Sequence, residues 1–114
     1  MSDITIHALH AALRGLSARQ RTIADNVANL ETPEFLAGKV DFESSLSRAI
    51  ASGADPLAAT QQSFSRSQDP TNPNGNNVSL EDETLSGMET NLRYELASNA
   101  LTDQFARLRQ AIGS

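Results

Sequence analysis

An all-α fold is predicted: two long terminal amphipathic helices packed as a coiled-coil-like hairpin, with a short helix and an extended or irregular loop between them. Three observations predict it. Apolar residues recur at heptad spacing from Ile6 to Leu30. They do so again, in two stretches, from Leu85 to Ile112. Between these runs, proline, glycine, asparagine and serine break every periodic pattern. One structural domain follows, in three segments: an N-terminal heptad helix at 1–30, a middle segment at 31–78 and a C-terminal helix at 79–114.

The first helix is expected over residues 3–30, about 42 Å long at the usual rise. Its stripe is Ile6, Leu9, Leu13, Leu16, Gln20, Ile23, Val27 and Leu30, in alternating steps of three and four. Gln20 either sets the register of a seam or lies at its wet edge. Gly15 costs such a helix about 1 kcal/mol relative to alanine. It is either tolerated there or admits a close neighbour. Asn26 and Asn29 precede the stop, where short polar side chains compete with helical backbone bonds. Pro33 ends the helix, because it lacks an N–H and drives Thr32 out of the helical region.

Residues 31–41 form an irregular connection around Pro33 and Gly38, with Phe35 able to fold back on the helix end. Asp41 is expected to cap a short helix at 42–52, whose Phe42, Leu46 and Ile50 lie one turn apart. Gly53 closes it, and Asp55-Pro56 prevents its resumption. Residues 57–66 fit either a helical turn at Leu57 to Ala59 or an extended piece at Ser63 to Ser65. SQDPTNPNGNN, residues 67–77, is dense in turn formers and reads as a flexible loop.

Ser79 fits as N-cap of the last helix, with Asp82 at the capping-box position. Glu81, Asp82 and Glu83 suit the positive end of its dipole, and Arg107 and Arg109 the negative end. Residues 80–112 would span about 50 Å. The stripe Leu85, Met88, Leu92, Leu96 is out of phase with the stripe Leu101, Phe105, Leu108, Ile112, so the seam drifts around the helix. In this arrangement the middle third is looped out at one end of the helix pair.

Composition narrows the function. The 114 residues include no cysteine, no tryptophan and five aromatics: Phe35, Phe42, Phe64, Tyr94 and Phe105. Neither a disulfide nor a thiolate metal site is possible. The chain has too little core for two long helices to be buried alone, which points to apolar surface covered by other molecules. No run is long and apolar enough to insert in a membrane, and the N-terminus lacks the pattern of a cleaved signal peptide. Composition alone therefore suggests the cytoplasm. Net charge is −5, with +1 in residues 1–30 and −3 in each of 31–78 and 79–114. Without a basic cluster, nucleic-acid binding is not expected.

Asp3, His7 and His10 share a helical face at metal-ligand spacing, but two solvated histidines near a terminus are the expected reading, with no metal and no cofactor. No serine sits in a nucleophile elbow, and no glycine loop for phosphate is present. The acids Glu81, Asp82, Glu83 and Glu89 read as a solvated face. Neither catalytic residues nor a small-molecule substrate are expected, and association remains.

IADNVANLETPEF resembles the signature of bacterial flagellar rod and hook proteins, an Ala-Asn-x-x-Thr-Pro element after an N-terminal heptad helix. Here it is Ala28, Asn29, Thr32 and Pro33, and Val40, Asp41 and Phe42 continue the match. NGNNVSLEDE, from Asn74 to Glu83, is similar to the segment before the last helix in the smallest, proximal-rod member. Arg93-Tyr94 and the stretch from Phe105 to Ile112 also fit. The likeness covers nearly the whole chain and is weakest from Ser52 to Asp69. Three positions depart: Glu34, where the family often has glycine, Leu36, where it often has lysine, and Thr84, where it often has methionine.

The resemblance implies a structural subunit of the flagellar basal-body rod, coming together with itself and other rod subunits, and with the ring and export-gate base. It implies terminal helices lining a torque-transmitting tube, and export into the periplasm by the flagellar type III apparatus without a cleaved signal. The expected assembly interface is Leu9, Leu13, Leu16, Ile23, Val27 and Leu30 on the first helix, and Asn26, Asn29, Thr32, Pro33 and Phe35 near its end. Asn76, Asn77 and Val78 before the last helix belong to it too, as do Leu92, Leu101, Phe105, Leu108 and Ile112 along that helix. For the asparagines and Thr32-Pro33, capping and turn formation explain the same residues. Phe42 and Leu46 resemble the Phe-x-x-x-apolar element that rod and hook subunits present to the export gate; they also fit a plain i,i+4 core pair. Two alternatives stay open: another small rod or hook-basal-body subunit, and a cytoplasmic helical adaptor or export chaperone.

Overall fold

The computed structural model describes residues 2–113. Met1 and Ser114, which end the first and last predicted segments, lie outside the described residues. Six elements follow in order: α1 (Ser2–Ala28), β1 (Gly38–Asp41), α2 (Glu43–Ala51), α3 (Pro56–Ala59), β2 (Ser63–Arg66) and α4 (Leu80–Gly113). The two long helices are where the heptad runs place them, and the molecule is a flat plate of 64 × 26 × 14 Å.

The fold is not purely all-α. β1 and β2 pair antiparallel, with Val40 opposite Phe64 and Gly38 opposite Arg66. At four residues each, the strands are too short for alternation to show in the sequence. Residues β1 does not bond to β2 find partners on α1. Asn26 Nδ2 donates to the Gly38 carbonyl at 3.0 Å and its Oδ1 accepts from the Gly38 N–H at 2.8 Å. Arg19 Nη2 donates to the Val40 carbonyl at 2.7 Å. Two α1 side chains, two turns apart, thus complete the outer edge of β1 as a third strand would.

This docking corrects the expected position of the middle segment. It is not looped out at one end but folds back along α1. The Phe42 ring is 3% exposed and lies where a Cβ at Gly15 would sit, so the mid-helix glycine is required by a close approach. Asp41 does not cap α2; it lies in β1, and α2 starts after Phe42 without a side-chain cap. The end of α2 is as the sequence suggests. Gly53 at φ 76° lets its N–H reach the Ile50 carbonyl and the Ala54 N–H the Ala49 carbonyl, a Schellman closure. The 57–66 ambiguity resolves into both forms: the single turn α3, begun by Asp55 capping the Leu57 N–H at 3.1 Å, and then β2.

α4 starts with Ser79 Oγ accepting from the Asp82 N–H at 3.3 Å, and it runs on to Gly113, so Arg107 and Arg109 fall before its last turn. Its packing differs from a simple meeting of apolar stripes. Glu83, Gly87, Thr90 and Leu101 face α1: Glu83 binds Asn26, Gly87 lies against Ile23, and Thr90 and Leu101 are buried. Asn91 Oδ1 accepts from Gln20 Nε2 at 2.9 Å, so the polar member of the first stripe links the two long helices at their exposed edge. Leu85, Met88, Leu92 and Leu96 face solvent. Sixteen positions separate Leu85 from Leu101, which at 3.6 residues per turn is a rotation of about 160°. Only one of the two stripes can touch α1. The buried core is correspondingly modest: Ile6, Ala11, Leu16, Ala37, Phe42, Ala49, Val78 and Leu101.

Candidate functional site

The end of α1 is where the predicted site residues converge. The helix frays through tight bonds, with the Leu30 N–H on the Val27 carbonyl and the Thr32 N–H on the Asn29 carbonyl. Asn29 Nδ2 returns to the Asp25 carbonyl at 2.8 Å, and its Oδ1 accepts from Thr32 Oγ1 at 3.0 Å. Pro33 then forces the turn, and Glu34 completes it at φ 61°, a left-handed conformation that favours glycine. The Glu34 N–H reaches the Asn74 carbonyl at 2.9 Å. Gly75, itself at φ 83°, packs so closely on Glu34 that an added Cβ would lie 3.2 Å from the Glu34 Cα.

Asn76 is fully buried, and its side chain spends both functions on backbone. Nδ2 donates to the Asn29 and Thr32 carbonyls at 2.9 and 2.8 Å, and Oδ1 accepts from the Val78 N–H at 2.8 Å. It therefore satisfies the open carbonyls at the end of α1 while shaping the entry to α4. Asn77 Oδ1 accepts from the Ala37 N–H at 2.7 Å, and its Nδ2 donates to the Ser67 and Asp69 carbonyls at 3.1 and 3.2 Å. With these bonds the 67–77 stretch is tied to the Thr-Pro turn and, at Ala37, to the approach to β1. Asn26, 1% exposed, links α1 to β1 and, through Nδ2 to Glu83 Oε1 at 2.9 Å, to α4.

The other predicted residues separate by exposure. Leu16, Val78 and Leu101 are buried; Leu9, Leu13, Ile23, Leu30 and Phe35 are half-buried. Thr32, Pro33, Val27, Leu92, Phe105, Leu108 and Ile112 are exposed. Phe42 is buried beneath the Arg19 guanidinium at 5.1 Å, and Leu46 is half-buried beside it on α2.

A charged junction escaped the sequence reading. Arg19 makes two 2.7 Å bonds to Glu43, and Arg93 reaches the same carboxylate at 3.3 Å and Glu89 at 2.7 Å, so α1, α2 and α4 meet on one acid. The Arg19 hydrogen bonds lower the Glu43 carboxyl to a pKa of about 2, and they raise that of Arg19. Glu83 moves the other way: burial raises it, and the Asn26 bond only partly offsets this. No local motif marks partners 24 and 50 positions apart.

His7 Nδ1 lies 2.7 Å from Asp55 Oδ1, whose pKa this bond lowers, so His7 pins α3 to α1 instead of pairing with Asp3 and His10. Among the described residues no group of His, Cys, Asp and Glu is placed to hold a metal ion, and no helix is long and apolar enough to cross a membrane. What the arrangement offers is a rigid bend at one end of α1 and open apolar faces along the long helices.

No protein-family model matches the chain. Curated relatives do. It is 31% identical to the flagellar basal body rod protein FlgB of Borreliella burgdorferi, over 84% of this chain and 86% of that one. Identity is 30% to FlgB of Cereibacter sphaeroides, over 96% and 93% of the two chains, and 29% to FlgB of Bacillus subtilis, over 95% and 92%. The last two of these relatives cover nearly the full chain. The chain belongs to the FlgB family of flagellar basal body rod proteins and is a structural subunit of the rod.

Proposed function

We propose that the subunit builds the proximal rod by burying the open faces of its terminal helices against neighbouring copies and other rod subunits. The product is a helical tube that transmits torque and leaves an export channel. The observation that carries this reading is the outward stripe of α4, where Leu85, Met88, Leu92 and Leu96 are 67, 66, 57 and 60% exposed. A lone leucine on a surface needs no explanation, but four in line on one helix face form a contiguous apolar patch. Val27, Phe105, Leu108 and Ile112 extend the open surface to both ends of the helix pair.

The asparagines serve assembly at one remove: Asn26, Asn76 and Asn77 hold the bend, and exposed Thr32 and Pro33 at its tip touch the neighbour. The ring and export-gate base are the partners at the lower end of the stack. The chain leaves the cell unfolded through the flagellar export apparatus, and Phe42 and Leu46 are read before folding buries Phe42 against Gly15. Secretion of Phe42→Ala in cells lacking the downstream rod parts tests that last step; secretion at the wild-type level would leave Phe42 a core residue alone.

The test of the main reading uses exposed positions, where a charge leaves the fold intact. Val27 and Phe105 are 41 and 39% exposed. Val27→Asp and Phe105→Asp are each expected to abolish swimming and recovery of rods, because the charge would be buried unpaired at a subunit contact. Asp3→Ala should assemble normally. Intact rods from both Asp variants would overturn the reading.

A further inference from the structure

Resting on the reading of a self-assembling rod subunit, we propose that a basic groove on the open side of α1 receives the outward stripe of α4 from a second copy. The groove, about 550 Å³, lies between α1, Gln62 and Tyr94 of α4. His10, Arg14 and Arg21 line it, Leu13 and Tyr94 supply its apolar part, and no carboxylate borders it. Arg21 donates to Ser17 Oγ at 3.1 Å, which leaves its charge uncompensated. Among the described residues no carboxylate is within ion-pair distance of Arg14 or Arg21. The contrast with Arg19, held on both nitrogens by Glu43, is plain: α1 satisfies the arginine that builds the subunit and leaves two facing outward.

The outward stripe of α4 has the opposite character. Leu85, Met88, Leu92 and Leu96 run between Glu81, Glu89 and Glu95, and Asp103 continues the same face. Arg93, the neighbouring base, is already engaged by Glu89 and Glu43. Glu81 and Glu95 make no ion pair with any described residue. His10 to Arg21 and Leu85 to Leu96 each span eleven positions, about 17 Å of helix, so groove and stripe match in length. Complementary charge sets the orientation and the leucines supply the buried area. The two surfaces are different patches of one chain, so the contact repeats from copy to copy instead of closing a pair.

A charge swap tests the contact in cells. Arg14→Glu with Arg21→Glu, and separately Glu81→Arg with Glu95→Arg, are expected to lose swimming and rods while keeping the helical circular dichroism of the wild type. All four changes in one chain should restore both. Loss without restoration overturns the pairing and assigns the groove to an acidic face of a different rod subunit. The rod-subunit reading itself then stands or falls with Val27→Asp and Phe105→Asp. Normal rods from either charge-reversed pair overturn the contact outright. The chain has no cysteine, so Ser17→Cys with Leu85→Cys gives an independent readout in isolated basal bodies. Oxidation should give ladders of cross-linked subunits, and dimers from Leu85→Cys alone would show a symmetric α4 contact instead and overturn the proposal.

Discussion

Asn76 shows how much a single buried amide can hold. Asn76→Ala leaves the part-buried carbonyls of Asn29 and Thr32 and the buried N–H of Val78 without their side-chain partner. The expected loss is about 3 kcal/mol of unfolding free energy, read by urea denaturation. Glu34 works in the other direction. Its φ of 61° carries a steric cost that glycine would not, so Glu34→Gly should gain up to about 1 kcal/mol in the same assay. Its greater freedom in the unfolded chain reduces that gain.

Glu43 and Glu83 give acid responses of opposite sign. Glu43 has a folded pKa of about 2 against an ordinary 4.5, so its contribution is complete above the ordinary value and disappears as pH falls towards the folded one. The stability difference between wild type and Glu43→Gln should therefore shrink across that window. Its side chain is 42% exposed, and solvent screening keeps the difference to about 1 kcal/mol. Glu83 is raised by burial, so it favours the fold below its ordinary pKa and loses that contribution as pH rises through the folded value. Glu83→Gln, which retains an oxygen for Asn26, should gain on the wild type as pH rises. Parallel melts from acid to neutral pH check both.

At the scale of the element, α4 is one helix with two environments. Its α1-facing side carries Glu83, Gly87 and Thr90 where a coiled coil would place leucine, and the leucines of the same half lie outside. Position along the helix therefore decides what a substitution does. Leu101→Ala, at 9% exposure, should cost the isolated subunit about 2–3 kcal/mol. Leu85→Ser, at 67% exposure, should leave its melting unchanged and impair rod recovery instead. Equal effects on subunit stability would mean that the two stripes are not distinct. The Gly15–Phe42 contact is the corresponding device on α1, where a costly helical glycine is offset by a buried ring from the neighbouring segment.

For the whole molecule, the small core predicts uneven stability. Protection against hydrogen exchange should be greatest where α1 meets β1, α2 and the start of α4, around Leu16, Asn26 and Phe42. It should fall off towards the last turns of α4, where Leu108 and Ile112 are 39 and 77% exposed. Assembly should then raise protection along the outward stripe. Uniform strong protection of both long helices in dilute monomer would contradict this.

Local periodicity determined the two long helices, because helical hydrogen bonds join residues four apart and an apolar stripe repeats within one segment. The stop at Thr32-Pro33, the Gly53 closure and the Ser79 cap were legible for the same reason: each is a local backbone device. The phase slip between the two α4 stripes was also visible, and so was the likeness to rod and hook proteins. Only the tertiary structure decided which stripe turns outward, and that Gly38–Asp41 is a strand at all. Its partners are Ser63–Arg66 and the side chains of Arg19 and Asn26, so the pairing joins segments far apart in the chain. The asparagines at 26, 76 and 77 read in sequence either as interface residues or as caps and turns, and which backbone groups they would satisfy depended on three segments arriving at one end of α1. A non-local hydrogen bond leaves no periodic trace in the chain that makes it, so its partners emerge only when the fold brings them together.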